Sequence, residues 1–132
     1  MHTYNLTPGI KGSFDLKVTA ETTAQHFDPQ LAPVFSTPFL VAIAEGACYK
    51  AVQTKLPEGF STVGTVVNIR HLAPTPVGMK VTAICELVEV DDRRLVFKVE
   101  AHDEVKKVAE GSHERFIIDS KKFVAKLNQA AR

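Results

Sequence analysis

The sequence has 132 residues, of which 45% are hydrophobic and 23% are charged, so its composition is that of one globular domain spanning residues 1–132. The 16 Lys and Arg residues nearly balance the 15 Asp and Glu residues, which gives a formal net charge of +1. This balance argues against a broad nucleic-acid-binding surface and against a polybasic membrane patch, because both need an excess of basic residues. The composition therefore excludes these partners without indicating a substrate.

The two cysteines, Cys48 and Cys85, lie in apolar stretches and match no spacing that is typical of a zinc site. We expect both to be reduced core residues of a cytoplasmic protein, because a free thiol in such surroundings behaves as a small hydrophobic side chain. The sequence contains no run of about 18 apolar residues that would predict a transmembrane helix. The first residues, from Met1 to Asn5, lack the pattern of a signal peptide.

The first half of the chain predicts one strand and one long helix. Residues 13–20 alternate strictly between apolar and polar side chains, which predicts a half-buried strand. Residues 21–37 lack a clear period, so we expect a loop. Thr37 and Pro38 predict a helix start, because Thr37 can cap free N–H groups and Pro38 fits the first helical position. This helix ends at about Thr54, and it is apolar on most of its surface.

The second half of the chain predicts four more strands and a short helix. The strands are expected at residues 61–72, 79–90, 94–102 and 107–118, and the helix at 120–130. On the second strand, Val63, Val67, Ile69 and His71 are expected to share one face. This order of elements predicts an α+β architecture, in which an antiparallel five-stranded sheet packs on a central helix.

Glu45 is a carboxylate on the apolar side of the predicted helix. Its neighbours three and four positions away are Val41, Ala42, Cys48 and Tyr49, so no basic residue on this helix face can pair with it. A carboxylate in this place is costly unless it is paired or hydrogen-bonded, or else its pKa rises. Two interpretations remain: a functional carboxylate, or a side chain that reaches solvent at a subunit edge.

His71 and Thr37 each have a structural and a functional interpretation. His71 lies at the end of its strand, where it is either a buried neutral histidine bonded to a carbonyl group or a neighbour of the helix that carries Glu45. Thr37 is an N-cap by its position. The same hydroxyl lies beside the free N–H groups of a helix start, which stabilise a developing oxyanion.

Other polar residues are weaker candidates. The remaining histidines are His2, His26, His102 and His113. His113 shares one face of the last strand with Arg115, and the two either contact a ligand or face water. Gly64, inside a strand, predicts a bulge or the close approach of a substrate.

Several motifs carry a family resemblance. They are Val34–Pro38 with the helix as far as Glu45, Thr62–Thr65, the run Arg-His-Leu-Ala-Pro-Thr-Pro-Val-Gly-Met at Arg70–Met79, Glu86–Asp91 and Gly111–Phe116. They resemble fluoroacetyl-CoA thioesterase and its relatives, and the similarity extends over most of residues 10–119. The order of strands and helix is similarly that of the hot-dog fold.

The resemblance implies a specific set of functional residues. In that family a threonine, a glutamate and a histidine form the catalytic set, and the matching residues here are Thr37, Glu45 and His71. The resemblance also places Gly64 near the thioester and Arg115 in the active site. It implies acyl-CoA as the substrate, no metal or redox cofactor, and a homodimer or a dimer of dimers with each site at a subunit interface.

The segment ahead of Thr37 departs from the family pattern. Fluoroacetyl-specific members carry a phenylalanine gate there, and the matching residue in this sequence is Leu31. We expect Leu31 and Phe35 to contact the substrate. The resemblance therefore implies hydrolysis of a thioester, but not specificity for the fluoroacetyl group.

The leading hypothesis is an acyl-CoA thioesterase that hydrolyses a short-chain acyl-CoA. Glu45 acts as the nucleophile or as a general base on water, Thr37 orients the acyl group, and His71 shuttles the proton. The sequence leaves open which of Thr37 and Glu45 attacks the carbonyl. The alternatives are a non-catalytic acyl-CoA-binding or regulatory module, and a hydratase, which would need a histidine in the helix that this sequence lacks.

Overall fold

The computed structural model describes residues 4–131, so His2 and the first part of the N-terminal pattern lie outside the described residues. The strands are β1 (Lys11–Lys17), β2 (Phe60–His71), β3 (Lys80–Asp91), β4 (Arg94–His102) and β5 (Lys107–Asp119). The α-helices are α1 (Thr37–Gln53) and α2 (Ser120–Ala130), and two short 3-10 turns at Ala20–Thr22 and Ala24–His26 precede α1.

The five strands form one antiparallel sheet in the order β1-β3-β4-β5-β2, and the sheet packs on α1. Leu40 on α1 and Phe97 on β4 are fully buried, and burial of such an apolar side chain stabilises the fold by about 1.5–3 kcal/mol. The core between helix and sheet includes Leu40, Ile43, Ala47, Val52, Val81, Leu87, Leu95, Phe97 and Ile117. This arrangement confirms the predicted α+β architecture.

The start of α1 differs from the prediction in one respect. Ser36 is the N-cap, because it has an extended backbone (φ −80°, ψ 149°) and its Oγ accepts the N–H of Phe39 at 3.3 Å. Thr37 is the first helical residue, followed by Pro38. The prediction that Thr37 caps the helix was therefore wrong. Its hydroxyl is left free to bond a different partner.

A β-bulge interrupts the pairing of β2 with β5 just after Gly64, as the glycine predicted. Before the bulge, Val63 lies opposite the exposed Phe116, and after it Val67 lies opposite the buried His113. One extra residue shifts the alternation of side chains by one position. The expectation that Val63 shares the face of Val67 was therefore wrong.

The remaining elements follow the sequence pattern with small shifts of their ends. β1 covers Lys11–Lys17 instead of residues 13–20, and α2 coincides with the helix expected at 120–130. Alternate residues of β4 are buried, namely Leu95, Phe97, Val99 and Ala101. Within residues 4–131, no helix combines the length and the apolar character needed to cross a membrane.

Candidate active site

The hydroxyl of Thr37 contacts the ring of His71. Thr37 opens α1 and His71 is the last residue of β2, and Thr37 Oγ1 lies 2.9 Å from His71 Nδ1. In the tautomer that carries its proton on Nε2, Nδ1 accepts a hydrogen bond from the hydroxyl. A hydroxyl bonded in this way to a neutral imidazole is the arrangement of a nucleophile with its base.

Burial lowers the pKa of His71 below its ordinary value of 6.5, and a polar contact with the Ala73 backbone offsets part of this effect. The ring is therefore neutral at pH 7. Neutral imidazole is the form that can take a proton from Thr37.

A cleft of about 320 Å³ opens beside this pair. Its lining consists of Ala24, Val34, Phe35, Ser36, Thr37, His71, Leu72, Ala73 and Pro74. Phe35 is almost fully buried and forms part of this wall. Leu31 lies in the exposed loop ahead of α1, outside the residues that line the cleft. A small, mainly apolar cleft with two convergent polar groups is typical of a ligand site.

Glu45 lies further along α1 and finds its partner on β5. Arg115 Nη1 donates a hydrogen bond to Glu45 Oε2 at 3.2 Å. Arg115 is only 6% exposed, and it also donates from Nε to Thr62 Oγ1 at 2.7 Å and from Nη2 to the Thr62 carbonyl at 3.0 Å. The N–H groups of the guanidinium thus find hydrogen-bond acceptors inside the protein, and the same group pairs with the carboxylate of Glu45.

His113 holds the other side of this guanidinium. Its ring is fully buried, and Nδ1 lies 2.7 Å from the carbonyl oxygen of Val66, so Nδ1 carries the proton and donates. Nε2 is then an acceptor, 3.1 Å from Arg115 Nη1. Burial lowers the pKa of His113, and the charge of Arg115 lowers it further, although the bond to Val66 opposes this. His113 is therefore a neutral ring packed against Arg115, and it does not face water.

Gly64 leaves room for the carboxylate of Glu45 beside β2. A Cβ atom at Gly64 would lie 2.6 Å from Glu45 Oε2 and 3.4 Å from Arg115 Nη1. Any side chain at this position would therefore displace the carboxylate. Glu45, Arg115, His113 and Gly64 form one group, which we call the arginine cluster.

The structure thus brings the candidate residues together as two groups. Thr37 and Glu45 are eight positions apart on one helix, which corresponds to about 12 Å along its axis. The Thr37–His71 pair lies at the start of α1, and the arginine cluster lies near its middle.

Residues 18–121 match the model of the fluoroacetyl-CoA-specific thioesterase family. The fluoroacetyl-CoA thioesterase of Streptantibioticus cattleyicolor is 37% identical to this chain over 127 residues, which cover 92% of this chain and 91% of that protein. The chain belongs to the fluoroacetyl-CoA-specific thioesterase family. It is accordingly a thioester hydrolase.

Solved structures of thioesterases support this assignment. A mutant of the fluoroacetyl-CoA thioesterase in complex with fluoroacetate has a TM-score of 0.89 and 35% identity, over 95% of this chain and 98% of that chain. A thioesterase superfamily member from Thermus thermophilus has a TM-score of 0.89 and 27% identity, over 99% and 96% of the two chains. These similarities confirm the predicted hot-dog fold.

In this member of the thioesterase family, Arg115 is held by His113 and Thr62, of which the sequence indicated His113 only as a weaker candidate and did not indicate Thr62 as a partner. Alternation along β5 placed His113 on the same face as Arg115, which was the available signal. Thr62 reaches Arg115 only through the pairing of β2 with β5, and no local pattern indicates that contact.

Proposed function

We propose that this chain hydrolyses short-chain acyl-CoA thioesters to the free acid and CoA. The observation that carries the proposal is the 2.9 Å hydrogen bond between Thr37 and His71, which joins a hydroxyl to a neutral base at the wall of a cleft. Membership of the thioesterase family supports the reaction type. The bound fluoroacetate in a relative supports a small acyl group.

In the first step, His71 takes the hydroxyl proton while Thr37 Oγ1 attacks the thioester carbonyl. The C–S bond then breaks, and His71 returns the proton to the CoA thiolate. Pro38 has no N–H, and the N–H of Phe39 is bonded to Ser36, so the backbone N–H of Thr37 is the donor of the first turn that is left for the oxyanion.

Glu45 has one of two roles in this proposal. As a general base, it activates the water that cleaves the acyl group from Thr37. As a nucleophile, it attacks the thioester carbonyl itself, the C–S bond breaks so that CoA leaves as the thiolate, and water then hydrolyses the mixed anhydride to the free acid and the Glu45 carboxylate. In both roles Arg115 orients the carboxylate through its 3.2 Å hydrogen bond.

Mass spectrometry of acid-quenched protein distinguishes these roles. An acyl adduct that persists in Glu45→Gln and is absent from Thr37→Val supports attack by Thr37. The reverse pattern supports attack by Glu45. Both variants keep the approximate shape of the side chain, so a lost adduct reports the lost nucleophile.

The arginine cluster supports a short acyl group. The carboxylate of Glu45 occupies the space above Gly64, and Arg115 lies directly behind it. A long alkyl chain placed against this ion pair would remove charged groups from water without offering hydrogen bonds in return. A small acyl group leaves the ion pair intact.

We further propose that the functional unit is a homodimer, in which the Thr37–His71 pair of one protomer faces the arginine cluster of the other. The separation of about 12 Å between Thr37 and Glu45 along α1 is too long for both to reach one carbonyl carbon. β2 is an edge strand with the exposed residues Val66 and Val67, so it offers unpaired backbone groups to a second copy.

Complementation between two inactive variants tests the shared site. Thr37→Val and Glu45→Gln are each expected to be inactive alone. When the two are mixed through unfolding and refolding, a shared site gives about one quarter of the wild-type activity, because half of the dimers are mixed and each contains one intact site. A mixture that stays inactive would contradict the shared site, while leaving the reaction itself unaffected.

The reaction is tested by thiol release from acetyl-CoA, propionyl-CoA and longer acyl-CoA esters. We expect turnover that falls as the acyl chain lengthens. Release from none of these esters would contradict the proposal, and so would wild-type turnover in both Glu45→Gln and His71→Ala. The proposed reaction needs only water and the side chains of this chain, and the buried free thiols Cys48 and Cys85 are in keeping with a cytoplasmic protein.

A further inference from the structure

The loop that follows His71 crosses the segment that leads into Thr37. The carbonyl of Thr75 accepts the N–H of Phe35 at 2.9 Å, and an isolated bridge joins Val34 to Pro76 beside it. Phe35 lies two residues before Thr37, and Thr75 lies four residues after His71. The Phe35–Thr75 crossing therefore joins the segment that precedes Thr37 to the segment that follows His71.

Asp103 links the Phe35–Thr75 crossing to the sheet. It lies in the turn between β4 and β5, where Oδ1 accepts the N–H groups of Val105 at 2.8 Å and Lys106 at 2.9 Å. Its other oxygen, Oδ2, accepts the hydroxyl of Thr75 at 2.9 Å and lies 3.5 Å from Lys106 Nζ. The carboxylate of Asp103 thus joins the tip of one hairpin to the loop behind His71.

Both partners of this bond are removed from solvent. Thr75 and the side chain of Asp103 are 0% exposed. Burial by itself raises the pKa of the Asp103 carboxyl, but the two backbone N–H groups, the Thr75 hydroxyl and Lys106 together hold it below its ordinary value. Asp103 is therefore an ionised buried acceptor, and a hydrogen bond to a buried charge is stronger than one between neutral groups.

We propose that Thr75 and Asp103 form a positioning pair that holds His71 in hydrogen-bonding contact with Thr37. The proposal rests on the roles assigned to Thr37 and His71 above. Neither Thr75 nor Asp103 touches the substrate in this arrangement. They act through the Phe35–Thr75 crossing, which joins the segments that carry the two reacting side chains.

The predicted kinetic signature is a loss of kcat with little change in KM. A displacement of about 1 Å between a nucleophile and its base can cost up to about 100-fold in rate. Substrate binding depends on the walls of the cleft, and neither Thr75 nor Asp103 is among the residues that line it.

The experiment compares Thr75→Val, which keeps the shape and removes the hydroxyl, with Thr75→Ser, which keeps the hydroxyl. We expect kcat to fall about 10- to 100-fold in Thr75→Val, with KM within about threefold of wild type. In Thr75→Ser, kcat is expected to recover to within about threefold of wild type. Asp103→Asn still caps its turn through Oδ1, but it removes the negative charge and puts an NH₂ donor in place of Oδ2, so the Thr75 hydroxyl can only accept from it and the bond is weaker. We expect kcat to fall in this variant by less than in Thr75→Val, and this fall tests the proposal if Thr75→Val does not fold.

Val52→Ala is the matched control for lost stability. Val52 is fully buried near the far end of α1, about 22 Å along the helix axis from Thr37, so this change weakens the core without altering the crossing. We expect it to keep wild-type kcat. A fall in kcat equal to that of Thr75→Val, at the same loss of stability, would show that Thr75 acts only through stability and would overturn the proposal.

The ring ¹⁵N resonances of His71 give a second readout that does not depend on activity. We expect the Nδ1 resonance to shift in Thr75→Val and to remain in place in Val52→Ala and Thr75→Ser. An unchanged Nδ1 resonance and unchanged kcat in Thr75→Val would overturn the positioning role. If Thr37→Val kept full turnover, the nucleophilic role of Thr37 would fail, and if no acyl-CoA ester released its thiol, the proposed function would fail. In both cases the resonances would still report whether Thr75 positions His71.

Discussion

Arg115 on β5 donates a hydrogen bond to Glu45 on α1, with 3.2 Å between Nη1 and Oε2. The helix itself offers Glu45 no cationic partner, so the last strand supplies one across the core. Arg115 is in turn held by Thr62 and His113. The orientation of the carboxylate therefore depends on three elements that meet only in the folded protein.

Arg115→Lys is expected to abolish most of the activity and to lower the free energy of unfolding by about 2–4 kcal/mol. An ammonium group keeps the charge, but it cannot bond Thr62, His113 and Glu45 at the same time, so buried acceptors lose their donors. Urea denaturation and steady-state kinetics measure the two effects.

The matched control is Arg94→Lys, the same substitution at an arginine whose side chain is 42% exposed and pairs with Glu89 and Glu114. Exposed ion pairs contribute little, so stability and turnover should stay close to wild type. Equal losses of stability and turnover in the two variants would contradict the importance of the hydrogen bonds that the buried Arg115 guanidinium makes.

Gly64→Ala is expected to reduce kcat at least about 10-fold while the fold remains intact. The new Cβ would lie 2.6 Å from Glu45 Oε2, and the carboxylate ends a flexible side chain that can swing away from Arg115. The thermal midpoint should fall, because Arg115 loses its ion-pair partner and the new Cβ lies 3.2 Å from Cε1 of the buried His113 ring, but by less than in a variant that displaces backbone. Circular dichroism measures it alongside the assay.

Gly111→Ala provides the contrast on the neighbouring strand. A Cβ at Gly111 would overlap the backbone carbonyl of Asn68, and backbone cannot move aside as a side-chain end does. We expect a clear loss of stability in this variant. A Gly64→Ala protein with normal kcat would show that the position of the Glu45 carboxylate is unimportant for turnover.

Stability should fall as the pH is lowered below about 6.5. Burial lowers the pKa of both His71 and His113 below the ordinary value of 6.5, so between the folded and unfolded values the unfolded chain binds more protons. The free energy of unfolding then decreases as the pH falls through this window, and it levels off once the pH is below the folded values. Urea denaturation at about pH 7.5, 6.5 and 5.5 measures this slope.

His113→Gln removes one of the two titrating groups. The variant is expected to be less stable than wild type near neutral pH, because a buried ring is lost, and to show a shallower decrease towards acid pH. The same slope in wild type and variant would contradict the assignment of His113 as a buried neutral ring.

Some parts of the site were predictable because they depend on local order. Glu45 stands out as a carboxylate without a partner on its own helix, and the alternation along β5 puts His113 and Arg115 on one face. The contact of Thr37 with His71 was not predictable in this way. The two residues are 34 positions apart, so their contact depends on how the end of β2 packs against the start of α1.

The sequence by itself determined the order of the elements and the motifs that place the chain in its family. It also determined which face of each strand is buried, except in β2, where the bulge after Gly64 shifts the alternation. These features follow from periods of two and 3.6 residues and from helix-start residues, which act over a few positions. Only the tertiary structure decided the partners of the functional side chains. Glu45 and Arg115 are 70 residues apart and Thr62 and Arg115 are 53 apart, so their contacts depend on strand register and on packing across the core, which no local pattern encodes.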